Sequence, residues 1–411
     1  MRPIDKGHML TKGTCACILV TDINDLLPVC RTERMVAIRE VARHAGVSVA
    51  SVSRVLNGSP LVKESLRHRI LQAMAELDYS PSVPARSLRY GRTKLLGVLV
   101  PDSPNPFWSA VIRGIEGAAY AAGYCVVVCS SDADPGRELQ YLRVLREHRV
   151  AGIILGLGDA QLRAKVPSLQ RQVAILRQAG IPTVSVDKRV AGMDSVMLDN
   201  VRAAAQAVEH LIRLGHERIG IITGPLWTTT GRGRLIGYRR AMRRAGLPLE
   251  RSLQGIGPFS QQSGATLAQA MLSHRDWPTA LIAASNDLTL GVLSAVAPIG
   301  LHIPGDLALV GFDEMNWAST LMSPLTTVVQ PAKEMGAAAC RLLLDRITGD
   351  VTGPAQRLHF PGRLIVRQSS GAPADEQDPG PNFLHLISGP QNVCSTYVGP
   401  AAMLTIEMKG G

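Results

Sequence analysis

The chain has 411 residues, 46% of them hydrophobic, and a formal net charge of +11. That length and apolar content can fill more than one core, so two or three folded units are expected, and the basic balance favours a polyanionic partner. An odd set of seven cysteines, with Cys15-x-Cys17 too tightly spaced for a zinc pair, argues against a disulfide framework and a metal or other cofactor. The longest early apolar run, Cys15 to Val20, is too short to cross a membrane and lacks the flanks of a secretory signal. A reduced, cytoplasmic protein with no membrane partner is therefore expected.

Residues 1–34 show no sustained periodicity and read as a non-native or disordered extension, with translation expected to start at Met35. From Met35 to Leu95 ten Lys or Arg face four acids, so more than half of the net charge sits in this short stretch. Residues 35–80 alternate helix, tight turn, helix, loop and helix. Gly46 breaks the first helix, Ser48 caps the second, and Asn57-Gly58 supplies its left-handed exit. Val47, Val52, Val55, Leu56, Ile70, Leu71, Met74 and Leu77 are expected to share one small core. The second helix then exposes Val49, Ala50, Ser53, Arg54 and Asn57, and its small leading residues let it enter a major groove.

Residues 81–94 form a linker, because Pro81 and Pro84 interrupt helical continuation and no strand alternation follows. Residues 95–370 alternate buried strands with helices. The strands are expected at Leu95–Val100, Tyr124–Cys129, Gly152–Leu155, Thr183–Val186, Arg218–Ile222, Ala280–Ala284 and Leu307–Phe312, and several helices close on glycine. The expected fold is an all-α helix-turn-helix headpiece followed by an α/β body of two doubly wound parallel-sheet lobes. Residues 371–411, rich in Gly and Pro and without a leucine heptad, read as a disordered tail.

The stretch Ile38-Arg-Glu-Val-Ala-Arg-His-Ala-Gly-Val-Ser-Val-Ala-Ser-Val-Ser-Arg-Val-Leu-Asn-Gly58, continued in Ala75-Glu-Leu-Asp-Tyr-Ser-Pro81 and Ala85-Arg-Ser-Leu88, resembles the headpiece of the lactose-repressor (LacI/GalR) family. The likeness extends over roughly residues 36–370. It implies that Val49 and Ala50 occupy specificity positions and that Arg54 donates bidentately to guanine. Ser48, Ser51, Ser53 and Asn57 then make phosphate or supporting contacts. It also implies a hinge helix that forms on DNA, in which Leu88 wedges into the minor groove and Ala85 lets two hinge helices pack. Ala37 and Lys63 depart from the family's usual capping residues, and Pro84 from its usual valine or alanine.

The same resemblance makes the body periplasmic-binding-protein-like, with a small molecule held between its lobes. Phe107 and Trp108 follow the first strand and are expected to stack on a ring face. Asp187, Asn286 and Asp313 stand at strand ends, Phe259 matches an aromatic platform, and Thr230 and Arg234 lie in Thr228-Thr-Thr-Gly-Arg-Gly-Arg-Leu-Ile-Gly-Tyr238. An arginine among carboxylates and flat aromatics suits a polyhydroxylated ligand, and a sugar is the expected effector. Lys188-Arg189 departs from the commoner single arginine, and an apparent insertion lies between Gly158 and Val173. The partners implied are double-stranded operator DNA with an inverted repeat, that effector, and a second copy in a homodimer. The chain is expected to cross between lobes near Leu198, Val329 and His359. No nucleophile elbow, Walker loop or catalytic spacing is present, which argues against an enzyme. The alternative reading is a ligand-binding protein without regulatory DNA binding.

Overall fold

The computed structural model describes residues 18–20, 36–56, 59, 61–79, 93–158, 167–315 and 318–378. The headpiece consists of α1 (Ile38–His44), α2 (Val49–Leu56) and α3 (Glu64–Glu76). Gly46 separates the first two with a φ of +60°, a conformation that glycine adopts without steric cost. Ser48 Oγ accepts from Ser51 N at 3.1 Å and so caps α2, whereas Ala37 and Lys63 provide no side-chain cap to α1 and α3. Val41, Val52, Val55 and Ile70 form the buried centre, with Val47, Leu56, Met74 and Leu77 packed partly against it. Leu71 does not join them: it is 50% exposed. One residue further along α3 than Ile70, it is turned about 100° away from the core.

The body holds two sheets. The first runs β1-β3-β2-β4-β5-β6-β12, with β1 Ile18–Val20, β2 Leu95–Val100, β3 Cys125–Ser130, β4 Gly152–Leu155, β5 Thr183–Val186, β6 Asp194–Leu198 and β12 Arg357–Phe360. All its pairings are parallel. The second runs β13-β11-β10-β9-β7-β8, with β7 Ile219–Thr223, β8 Gln254–Ile256, β9 Ala280–Ala283, β10 Ala308–Phe312, β11 Thr326–Val329 and β13 Arg363–Ile365. Only β13 is antiparallel to its neighbour. Each sheet is buried on both faces by helices, so the central strands are continuous apolar runs.

In the first lobe α4 (Pro106–Ala121) and α11 (Ala332–Thr348) cover one face, and α5 (Pro135–Glu147) and α6 (Pro167–Gln178) the other. In the second, α7 (Asn200–Arg213) and α8 (Thr229–Arg244) lie opposite α9 (Gln261–Leu272) and α10 (Asn286–Val296). The chain passes between lobes three times: from β6 to α7, from β11 to α11 and from β12 to β13. These positions match the three crossings expected from sequence.

Two expectations for the ends of the chain change. Ile18–Val20 is a short strand beside β3, and the other residues before 36 lie outside the described residues. Order also continues past residue 370: Asp378 N donates to Val366 O at 2.7 Å, Gln377 Nε2 to Ala372 O at 2.8 Å, and Ala372 is buried. The apolar alternation that marks strands fades there, but backbone pairing does not depend on it. Residues 379–411 and the linker residues 80–92 lie outside the described residues, and with them Ala85 and Leu88; so does Asn57.

Candidate DNA-binding helix and interlobe cleft

On α2 the residues alternate between core and surface with helical spacing. Val52 and Val55 face α1 and α3, while Val49, Ala50 and Arg54 are exposed, and Ser51 and Ser53 lie at the margin. The Ser48 hydroxyl is engaged by Ser51, whose Oγ lies 2.9 Å away. A rigid, capped helix thus presents two small apolar side chains and then a guanidinium on one face. That is the shape and chemistry needed to approach base edges closely and donate to them.

The second site is a cleft of about 400 Å³ between the lobes, lined at the carboxyl ends of both sheets. Phe107, Trp108, Asp187, Thr230, Arg234, Phe259, Asn286 and Asp313 all line it, although more than 200 residues separate the first from the last. Asp187 and Asp313 follow β5 and β10 in left-handed backbone, with φ of +69° and +70°. Non-glycine residues rarely take this conformation, and it turns each chain sharply at the rim. Thr230 Oγ1 donates toward Asp187, at 3.2 Å from its carbonyl and 3.3 Å from Oδ1, and Gln330 Nε2 donates to Asp313 Oδ1 at 2.5 Å.

Arg234 is fully buried. Its Nε donates to Asn200 Oδ1 at 2.9 Å and its Nη1 to the Ala284 carbonyl at 2.5 Å, and its guanidinium lies 4.3 Å from the Phe312 ring centroid and 5.9 Å from that of Phe259. Burial lowers its pKa, opposed by the charges of Asp313 and Asp187. A neutral cradle therefore fixes the guanidinium plane, and two acids supply its countercharge.

The aromatic walls are set by absent side chains. A Cβ on Gly156 would come within 2.3 Å of Trp108, and one on Gly224 within 2.1 Å of the Phe259 ring. Trp108 differs from the expected open stacking face: it is only 6% exposed, belongs largely to the first lobe's core, and meets Phe107 edge-on with centroids 5.0 Å apart.

Opposite lobes also touch directly. Asn286 Nδ2 donates to Asn105 Oδ1 at 3.0 Å, Asn105 Nδ2 reaches Asn286 Oδ1 and Asp287 Oδ2 at 3.4 Å each, and Arg189 N donates to Thr229 Oγ1 at 3.2 Å. Asn105 additionally caps α4 by accepting from Phe107 N at 3.0 Å. Sequence reasoning did not single out Asp102, Asp132, Lys188, Asp287 and Gln330, which line the same cleft. Lys188 and Asp287 adjoin chosen residues, and Gln330 sits at a crossing; position relative to the strand ends was the available signal.

Residues 37–82 match the model of bacterial regulatory proteins of the lacI family, and residues 208–370 match a periplasmic binding protein-like domain. The ribose operon repressor of Escherichia coli (strain K12) is 36% identical over 338 residues, which cover 82% of this chain and 100% of that protein. Among solved structures, a complex of the transcriptional regulator CelR with cellobiose aligns at a TM-score of 0.60 and 30% identity, covering 81% of this chain and 99% of that one. The lac repressor dimer bound to operator and the anti-inducer ONPF aligns at a TM-score of 0.69 and 27% identity, covering 82% and 99%. With the headpiece, the two-lobed body and near-complete coverage of such a relative in agreement, the chain belongs to the lacI family of bacterial regulatory proteins.

Proposed function

We propose that this protein is a cytoplasmic, homodimeric transcriptional repressor, without enzymatic activity, whose grip on an inverted-repeat operator is set by a sugar held between its lobes. The observation that carries the reading is the joining, in one chain, of an exposed recognition helix to a cleft in which aromatic faces, carboxylates and a fixed guanidinium converge. Val49, Ala50 and Arg54 read bases, while Ser48, Ser51, Ser53 and Asn57 support the backbone contacts. Ala85 and Leu88 act in the hinge. Relatives support the effector class: one is a repressor of a ribose operon and another is in complex with cellobiose.

Three strand crossings behave as a hinge, and a ligand that bridges the lobes biases their closure by its differential affinity for the two states. Closure then changes the separation of the two headpieces in a dimer. Selection of bound sequences from a random duplex library, with and without each sugar of a panel, tests this. An inverted repeat whose recovery changes with one sugar is expected; sequence-indifferent, salt-sensitive binding in every condition refutes it.

A further inference from the structure

The charge balance of the cleft says more about its ligand than the fold does. Among the described residues five carboxylates line it, those of Asp102, Asp132, Asp187, Asp287 and Asp313, against the two cations Lys188 and Arg234. Both cations are already engaged by protein: Lys188 Nζ donates to the Leu157 carbonyl at 2.8 Å, and Arg234 is held by Asn200 and Ala284. Asp132 is paired with Arg137, whereas among the described residues Asp102, Asp287 and Asp313 are in no salt bridge.

Asp102 and Asp313 crowd Asp287. Burial pushes the Asp287 carboxyl up to about 6, and the carboxylates of Asp102 and Asp313 push it in the same direction. Asp102 is likewise raised, chiefly by burial. A second, independent feature has the same sense. Gln330 is 8% exposed, spends its Nε2 on Asp313, and has no partner for its Oε1. A buried acceptor left unpaired is costly, so this corner of the cleft wants a donor from outside.

We propose that the cleft is a charge filter, admitting neutral or amine-bearing polyols whose hydroxyl or ammonium donors meet its surplus acceptors and rejecting the phosphorylated or carboxylated counterparts of the same skeletons. The proposal rests on the cleft being the effector site. A hydroxyl group donates to a carboxylate at little cost in charge. A phosphate ester instead brings nearly two negative charges into a partly enclosed space whose cations are committed elsewhere.

The test uses the full chain and matched probes: ribose with ribose 5-phosphate, and glucose with glucosamine and glucose 6-phosphate, titrated by calorimetry at pH 7.5. For any skeleton that binds, the phosphate ester is expected to bind about 100-fold more weakly or worse, and the amine at least as tightly as its parent. Asp287→Asn is expected to narrow that gap by about tenfold. A phosphate ester that binds within threefold of its parent overturns the filter and leaves the sugar reading standing.

A ligand-free arm separates the two claims. The unfolded Asp287 carboxyl loses its proton near the ordinary value of 3.8 and the folded one only near 6, so the cost of ionising it grows between those values and is complete above pH 6. Asp287→Asn is therefore expected to raise the melting temperature by about 2 °C or more at pH 7.5, by less at pH 5, and not below about pH 4. Should no probe bind, that rise still supports the surplus of negative charge while the sugar reading fails. An unchanged or lowered melting temperature at pH 7.5 overturns the filter.

Discussion

Replacement of Arg54 by alanine is the most informative single change to the headpiece. The guanidinium is exposed on α2, outside the Val52 and Val55 core, and alanine is the best helix former, so the headpiece is expected to keep its fold. A bidentate arginine–guanine pair is worth about 1–3 kcal/mol, and a twofold dimer carries two of them. The Arg54→Ala dimer should therefore lose about 2–6 kcal/mol on its operator, a fall of roughly 30-fold to more than 10,000-fold. Fluorescence anisotropy on the selected operator and on a scrambled duplex, at several salt concentrations, measures this directly. Base reading predicts a loss concentrated on the operator. An equal loss on both duplexes, with the salt slope reduced by about 0.9 for each arginine removed, would assign Arg54 to phosphate and refute the reasoning.

Other parts of the molecule give equally definite expectations. Asp194 pairs bidentately with Arg346 at 2.8 and 2.9 Å, both side chains being largely buried, and accepts from Gln356 N at 2.6 Å, so Asp194→Ala should cost the body about 3–5 kcal/mol in denaturant unfolding; a cost below about 1 kcal/mol would contradict it. Gly224→Ala drives a methyl into the Phe259 ring and should weaken effector binding about tenfold while operator affinity without effector stays unchanged, as calorimetry and anisotropy would show. His210 is buried against Ser370 Oγ at 2.9 Å, and burial lowers its pKa to about 4. The unfolded chain therefore takes up a proton before the folded one does, and stability should fall as pH drops from 6.5 toward 4. His210→Gln should flatten that part of a melting-temperature profile, and an unaltered slope would place its origin elsewhere.

Patterns that repeat were legible in the sequence, and those resting on a few residues were not. The long apolar strands stood out because both of their faces are buried, and the recognition helix because core and surface positions alternate around Val52 and Val55. The eight cleft-lining residues expected from sequence stand at strand ends or on the segments that follow them, which the topology gathers at one cleft. Short strands such as β8 and β13 were missed, since three residues carry no periodicity. Leu71 was misplaced because hydrophobicity alone does not give the phase of a helix. Asp102 and Gln330 are single polar letters in connecting segments and Asp287 one in the first turn of α10, and only tertiary structure shows how closely their charges and acceptors are crowded.

Coupling between cleft and headpiece is measurable in both directions, because linkage makes it reciprocal. Once the screen supplies a sugar and an operator, the operator dissociation constant is measured with and without saturating sugar, and the sugar dissociation constant with and without operator. The same factor is expected from both pairs, at least about fivefold. Tight binding of each ligand with a factor of one in both directions would mean that the cleft does not control the headpiece.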